Sequence, residues 1–209
     1  MISVGIDLAG SPSRNTGYCV LDDELNCSVS ILHTDSEILS NTLKLSPDIV
    51  SIDAPLFLPK GRLSLEQTGP PHLRGCDREL LKMGIKFFPI TLGPMRMLTS
   101  RGMKLRSELE RTGLSVIESF PGAIQDLLGM PRKQRGLDVL RMALIKYGIK
   151  GGIMNERISG DELDAITSAV VGKMYLSGAY RAIGDPEEGF MIIPNIASNQ
   201  SHMTGGSRR

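Results

Sequence analysis

The chain contains no tryptophan and only five phenylalanines and four tyrosines among 209 residues, so any core must be built mainly from aliphatic side chains. Its three cysteines, Cys19, Cys27 and Cys76, include no C-x-x-C pair, which argues against a disulfide framework and a thiolate zinc site. No apolar run approaches the roughly 18 residues of a membrane span, and no basic and apolar signal segment opens the sequence. These absences predict a soluble cytoplasmic protein that does not bind membranes.

The net charge is only +1, so the chain as a whole lacks the positive charge typical of basic nucleic-acid binders. Basic residues nevertheless outnumber acidic ones between Lys60 and Arg111. This stretch predicts either a local phosphate-binding face or a solvated helical surface. The candidate substrate-binding residues within it are Lys60, Arg62, Arg74 and Arg78. For Arg74 and Arg78 the alternative is ion pairing with Asp77 and Glu79.

Two short apolar strands each end in an aspartate. Residues 2–7 read Ile-Ser-Val-Gly-Ile-Asp, and residues 48–53 read Asp-Ile-Val-Ser-Ile-Asp. An α/β sheet carries its reactive groups at the carboxyl ends of its strands. Ionised carboxylates beside apolar strands are costly unless they are paired, and a divalent cation can pair several at once. Asp7 and Asp53 therefore predict metal-dependent phosphate chemistry, with turn capping as the alternative role.

Turn signals and hydrophobic periodicity predict the order of elements along the chain. Strands are expected at 2–8, 16–21, 28–33, 48–53, 115–119 and, weakly, 190–193. Helices are expected at 35–45, 76–83, 94–112, 121–129, 137–147 and 159–177. We predict one domain over residues 1–194, with an insertion at about 60–112 and a flexible tail over 195–209.

Three meander strands, a helix, a strand, further helices, a strand and a terminal acidic helix follow the order of the ribonuclease H-like fold. The chain also resembles the DUF429 family of predicted nucleases over roughly Met1 to Ser177. The motifs that carry this resemblance are Gly5-Ile6-Asp7-Leu8-Ala9-Gly10, Ser51-Ile52-Asp53-Ala54-Pro55-Leu56, Arg74-Gly75-Cys76-Asp77, Glu118-Ser119-Phe120-Pro121 and Asp161-Glu162-Leu163-Asp164-Ala165. The resemblance implies an α/β fold with a mixed five-stranded sheet flanked by helices and an inserted basic helical segment.

The resemblance also implies further site residues. Asp161 and Asp164 are similar to the D-x-x-D-A pattern on the last helix of bacterial Holliday-junction resolvases, which supplies metal ligands. Residues three apart on a helix share a face, so both side chains could point at the same ion. Asp7 matches the first-strand aspartate of that superfamily, and either Asp53 or Glu118 matches its second acid. The alternatives are an N-cap role for Asp161 and a salt bridge to the basic insertion for Glu118.

Together these residues predict a nuclease that binds DNA or RNA and cleaves phosphodiester bonds with two Mg²⁺ or Mn²⁺ ions. A homodimer is one assembly that could cut two strands. Two other functions stay open. The segment Asp7 to Ser11 resembles the first phosphate loop of the actin-like sugar and acetate kinases, which suggests a phosphotransferase or ATP-binding protein. The same carboxylates could instead belong to a non-catalytic nucleic-acid-binding module.

Overall fold

A computed structural model describes residues 1–196, which form eight strands and six α-helices. The strands are β1 (Ser3–Asp7), β2 (Thr16–Leu21), β3 (Asn26–Leu32), β4 (Ile49–Asp53), β5 (Val116–Ser119), β6 (Lys150–Gly151), β7 (Tyr180–Asp185) and β8 (Gly189–Pro194). The helices are α1 (Asp35–Leu45), α2 (Gly75–Lys82), α3 (Gly93–Glu110), α4 (Pro121–Leu127), α5 (Leu137–Tyr147) and α6 (Gly160–Leu176).

The strands form one mixed sheet in the order β6-β3-β2-β1-β4-β5-β8-β7. β1, β2 and β3 are an antiparallel meander, as the short connections between them predict. β4 lies parallel to β1 and β5 lies parallel to β4. β8 continues the sheet parallel to β5, and β7 closes this edge as the antiparallel partner of β8.

Helices cover both faces of the sheet. On one face, Ile6 and Ile52 from the two central strands belong to the same buried cluster as Leu105 and Leu109 from α3. On the other face, the helix α6 is buried along most of its length. Consecutive strand residues point to opposite faces, so this division decides which strand-end side chains can meet α6.

Two glycines let α6 approach the sheet closely. A Cβ atom on Gly5 would lie 2.1 Å from the carbonyl oxygen of Ala165, and one on Gly17 would lie 2.0 Å from that of Asp161. Real Cβ atoms do not come this near to backbone, so any side chain at Gly5 or Gly17 would push the helix away. These glycines let the start of α6 lie directly above the end of β1 and the beginning of β2.

The prediction of a five-stranded sheet is not confirmed, because the described part of the chain forms a sheet of eight strands. The helices expected at 35–45 and 137–147 are confirmed with the same bounds. β7 was missed because it carries little apolar signal: Arg181 and Ala182 are exposed, and only Ile183 is fully buried. β6 has two residues, too few to give a pattern.

The segment between β4 and β5 contains α2 and α3, in agreement with the two helices predicted there. The domain limits and the insertion at about 60–112 stay predictions. Of the tail expected over 195–209, residues 197–209 lie outside the described residues. Within residues 1–196, no helix combines the length and the apolar character needed to cross a membrane.

Candidate functional site

Asp7 and Asp53 are the last residues of two neighbouring parallel strands. The pairing of β1 with β4 sets Asp7 directly beside Asp53. Asp7 lies two residues after Gly5, so its side chain points to the face that α6 covers. The register therefore brings the two strand-end carboxylates together under the start of α6.

The first turns of α6 bring two further carboxylates. Ser159 is the N-cap, since its hydroxyl accepts a hydrogen bond from the Glu162 N–H at 3.2 Å and its own N–H donates to the Glu162 carboxylate at 2.8 Å. The alternative N-cap role for Asp161 is therefore wrong. Asp161 is partly exposed, whereas Asp164, three residues further on, is buried. We refer to Asp7, Asp53, Asp161 and Asp164 as the acidic cluster.

The ammonium group of Lys133 contacts three members of the acidic cluster. Its Nζ lies 2.7 Å from Oδ2 of Asp164, 3.6 Å from Oδ2 of Asp7 and 3.7 Å from Oδ1 of Asp161. Lys133 opens a short 3₁₀ turn after α4 and reaches the cluster past Gly160. A Cβ atom on Gly160 would lie only 3.2 Å from Cδ of Lys133, so the glycine leaves room for this side chain.

Gln125 orients Asp164 from α4. The Nε2 of this buried glutamine donates to Oδ1 of Asp164 at 2.8 Å, and it also lies 3.3 Å from the hydroxyl oxygen of Thr167. Asp164 thus gives one carboxylate oxygen to Gln125 and the other to Lys133. A carboxylate fixed in this way keeps one orientation in the cluster.

Crowding and burial disfavour the ionised form of the strand-end carboxylates. Burial and the neighbouring Asp164 raise the pKa of Asp7 to about 7, and the Lys133 ammonium opposes this only in part. Burial raises the pKa of Asp53 well above its ordinary value, and the charges of Asp7 and Asp164 raise it further. A group of acids that repel one another in a partly buried site is typical of a site that binds a cation.

The donor chemistry of the acidic cluster fits a hard divalent cation, because Mg²⁺ and Mn²⁺ prefer carboxylate oxygens. Among residues 1–196, no group of three or more His, Cys, Asp or Glu side chains has the geometry of a metal-ion site. The cation on which the carboxylates converge is instead the Lys133 ammonium. Lys133 therefore compensates part of the negative charge of the cluster.

Glu118 lies on the opposite face of the sheet from the acidic cluster. Its strand neighbour is Ile52, whereas Ser119 is the residue beside Asp53 and bonds the α6 hydroxyl of Ser168 at 3.1 Å. The Glu118 carboxylate instead accepts a hydrogen bond from Nη1 of Arg74 at 2.8 Å. Glu118 thus has an internal cationic partner from the segment between β4 and β5.

The four predicted substrate-binding cations occupy different environments. Arg62 is buried and donates to backbone carbonyl groups of the 64–71 segment. Arg74 is buried and binds Asp77 through two nitrogens in addition to Glu118. Lys60 and Arg78 are exposed and lie near the acidic residues 187 and 188. The two buried guanidinium groups are engaged within the protein, which does not suit them to binding phosphate.

A cavity of about 270 Å³ opens beside the acidic cluster at the ends of β4 and β5. Asp53 belongs to both the cluster and the cavity wall. The other wall residues that bear on function are the aromatic Phe87, Phe88 and Phe120, the cationic Lys86 and Arg132, and the polar Glu118 and Ser119.

Sequence reasoning missed Lys133, Gln125 and the aromatic wall of the cavity. A signal for Lys133 existed, since Arg132, Lys133 and Arg135 form a basic run between two predicted helices. Gln125 gave no signal, because a glutamine inside a helix is ordinary. The phenylalanines 87 and 88 gave none because the segment between α2 and α3 has no regular pattern.

No protein family model matches the chain, and no curated protein matches it. The resemblance to the DUF429 family therefore stays a prediction. Solved structures similar to this chain include two of RuvC. The complex of RuvC from Thermus thermophilus with a Holliday junction substrate is 14% identical with a TM-score of 0.47, covering 85% of this chain and 96% of that one. A structure of RuvC from Thermus thermophilus alone is 13% identical with a TM-score of 0.48, covering 91% of this chain and all of that one. Identities and TM-scores this low do not assign a function.

Proposed function

We propose that this protein is a metal-dependent nuclease of ribonuclease H-like fold, which hydrolyses phosphodiester bonds of nucleic acid with Mg²⁺ or Mn²⁺. The observation that supports this most is the convergence of the acidic cluster. Asp7 and Asp53 come from adjacent parallel strands, and Asp161 and Asp164 come from a helix above them. Carboxylates from separate elements, held at one end of a sheet, are the ligand set that metal-assisted phosphoryl chemistry needs.

Each member of the cluster has a proposed role. Asp7 and Asp53 would hold metal from the strand ends, and Asp164 would hold it from the helix in the orientation that Gln125 fixes. Asp161, at the more exposed side, would complete the set. Divalent ions bound there would supply a polarised water as nucleophile and would stabilise the leaving oxygen. Because Lys133 contacts three of these carboxylates, its ammonium would compete with a bound metal for them.

The basic groups nearest the cluster are the proposed contacts to the nucleic-acid backbone. Lys133 and Arg135 lie in the 3₁₀ turn beside the cluster, and Lys86 and Arg132 line the adjacent cavity. Lysine and arginine neutralise phosphate charge without reading sequence, so these residues would position the scissile strand. They take the place of Arg62 and Arg74, which are buried and internally paired.

A cleavage assay with Mn²⁺ tests this function. Labelled single-stranded DNA, RNA–DNA hybrid, duplex and four-way junction substrates should be offered, since a junction is the substrate named for one similar structure. We expect cleavage of at least one substrate, and we expect Asp7→Asn to abolish it while the fold is kept. The matched control is Asp138→Asn, which removes an exposed carboxylate of α5 that pairs with Arg141, and we expect this variant to cleave normally. Full activity in Asp7→Asn would contradict the assignment of the site.

The actin-like phosphotransferase is less well supported by the loop after β1. The Ala9 N–H donates to the Thr16 hydroxyl at 3.1 Å, and the Ala9 carbonyl accepts from Arg101 at 2.7 Å. A phosphate loop needs backbone N–H groups that are free to bind phosphate, and the Ala9 N–H is already used within the protein. Titration with ATP distinguishes the two functions, because the nuclease proposal expects no saturable ATP site. The non-catalytic module and the homodimer stay predictions.

A further inference from the structure

One oxygen of the buried Glu118 carboxylate lacks a partner. Oε2 accepts two hydrogen bonds, from the Leu56 N–H at 2.7 Å and from Nη1 of Arg74 at 2.8 Å. Within the described residues, Oε1 accepts none. Glu118 is 1% exposed, and a buried acceptor without a donor costs free energy. Since Glu118 lines the cavity beside the acidic cluster, a group that enters the cavity is a ready source of the missing donor.

The walls of the cavity suit a flat aromatic ligand. Phe88 is 71% exposed and borders the cavity, so one face of its ring is open to stacking. Phe120 already has the guanidinium of Arg132 5.8 Å from its ring centroid. Leu80 and Met191 add buried apolar surface to the wall. Nucleobases stack on such open aromatic rings with little regard to sequence.

The size and location of the cavity favour one base rather than a larger ligand. Its volume of about 270 Å³ lies just below the roughly 300–1,000 Å³ that is typical of small-molecule sites. Asp53 belongs to both the cavity wall and the acidic cluster, so the sugar and phosphate of a base held there would lie next to the carboxylates. Lys86 and Arg132 supply positive charge at the same wall.

We propose that the cavity binds a nucleobase bearing an exocyclic amino group, which donates a hydrogen bond to Oε1 of Glu118 while its ring stacks on Phe88. The inference rests on the proposed nuclease function, for which it names a base-recognition subsite. An amino group fits because the ion pair with Arg74 favours the ionised form of Glu118, and a carboxylate accepts hydrogen bonds and cannot donate one. A carbonyl oxygen in the same position would face another acceptor and would be rejected.

Substitution of Glu118 by Gln reverses this recognition. The Leu56 N–H and Arg74 both donate to the Oε2 position, so the amide oxygen must occupy it and the amide NH₂ must take the place of Oε1. The unpaired acceptor thereby becomes a donor. Arg74 keeps two hydrogen bonds to Asp77 in this variant, so its charge stays paired.

The test is a titration of the metal-free protein, in EDTA, with two nucleoside pairs: cytidine against uridine and adenosine against inosine. Methyl NMR signals of Met191 and Leu80 report occupancy, because both residues line the cavity and a bound ring would shift them. For the wild type we expect the amino member of each pair to bind roughly tenfold more tightly. In E118Q we expect the carbonyl member to bind more tightly.

Phe88→Ala is the second variant, and its exposed position makes it harmless to folding. We expect this variant to bind cytidine and adenosine roughly tenfold more weakly, because the stacking on the ring is lost. Phe190→Ala, at a 40% exposed phenylalanine of β8 outside the cavity wall, is the control and should bind as the wild type does.

Three results would overturn the inference: an unchanged preference in E118Q, unchanged binding in F88A, or no shift with any nucleoside. Nucleoside binding in EDTA does not depend on metal or cleavage, so loss of this subsite and loss of the nuclease function would be told apart.

Discussion

The ammonium of Lys133 lies 2.7 Å from the carboxylate of Asp164, at the point where Asp7 and Asp161 also converge. The lysine therefore takes the position of charge compensation that a divalent ion would take in the proposed enzyme. The two cations would compete for the same oxygens, because their like charges repel at such short range. Metal binding and the position of Lys133 are thus linked.

Lys133→Met should tighten Mn²⁺ binding, because it removes the competing cation and keeps the length of the side chain. We expect a gain of roughly tenfold, equivalent to about 1.4 kcal/mol, measured by calorimetry at about pH 8, above the pKa of about 7 that Asp7 has in the fold. The control is Lys146→Met, at an exposed position of α5. Equal or weaker affinity in the Lys133 variant would show that the lysine does not compete with metal.

Asp7→Asn should stabilise the metal-free protein above neutral pH. The pKa of Asp7 is raised from 3.8 to about 7, so the folded state holds a proton that the unfolded state has released. The stability of the wild type therefore falls as pH rises from about 4 through about 7, whereas the asparagine variant escapes this loss.

Thermal unfolding at about pH 5 and about pH 8, in EDTA, measures this difference. A stabilisation of 1 kcal/mol raises Tm by about 2–4 °C for a chain of this size. At about pH 8 we expect the Tm of Asp7→Asn to exceed that of the wild type by at least this much. The exposed Asp138→Asn variant should show no such change. A variant that is less stable than the wild type at the higher pH would mean that Asp7 is a structural carboxylate.

Gln125→Met tests whether Asp164 needs its buried partner. Methionine has a similar shape and cannot donate a hydrogen bond, so Oδ1 of Asp164 loses its fixed donor. Loss of such supporting groups typically weakens metal binding by roughly 10–100-fold, which Mn²⁺ calorimetry would measure. The control is Asn41→Met, at an exposed position of α1, which should leave affinity unchanged. Wild-type affinity in the Gln125 variant would remove this residue from the site.

Arg74→Met should destabilise the fold, because it leaves the buried Glu118 and Asp77 without their shared cation. Breaking a buried ion pair from one side typically costs roughly 3–5 kcal/mol. Arg78→Met, at a residue with a 52% exposed side chain, should change the free energy of unfolding by less than about 0.5 kcal/mol. Denaturant unfolding measures both. Normal stability with weakened nucleic-acid binding in the Arg74 variant would instead favour a phosphate contact.

The sequence predicts much of the fold and half of the site for identifiable reasons. Asp7 and Asp53 each end an apolar strand. The helix α1 before β4 favours a parallel pairing of β4 with an earlier strand, so the meeting of the two carboxylates could be anticipated. The face of the sheet on which Glu118 lies could not be anticipated. The strand β5 reads Val-Ile-Glu-Ser, with apolar residues at consecutive positions, and only its register with β4 shows that Ser119 lies beside Asp53.

Lys133 and Gln125 depend on tertiary packing that no local pattern records. Lys133 reaches the acidic cluster because a 3₁₀ turn aims it past Gly160, and Gln125 because α4 lies against α6. The strand β7, which pairs with the predicted strand β8, escaped prediction for a different reason. This strand is largely exposed at the sheet edge, where apolar alternation is weak.

Calorimetric titration of Mn²⁺ into the metal-free protein tests the central claim, that the acidic cluster is a divalent-metal site. We predict saturable binding that Asp7→Asn and Asp164→Asn each weaken strongly, while Asp138→Asn leaves it unchanged. Binding that is indifferent to Asp7 and Asp164, or no binding even when Lys133 is replaced by Met, would contradict the claim and would make the cluster a structural set neutralised by lysine.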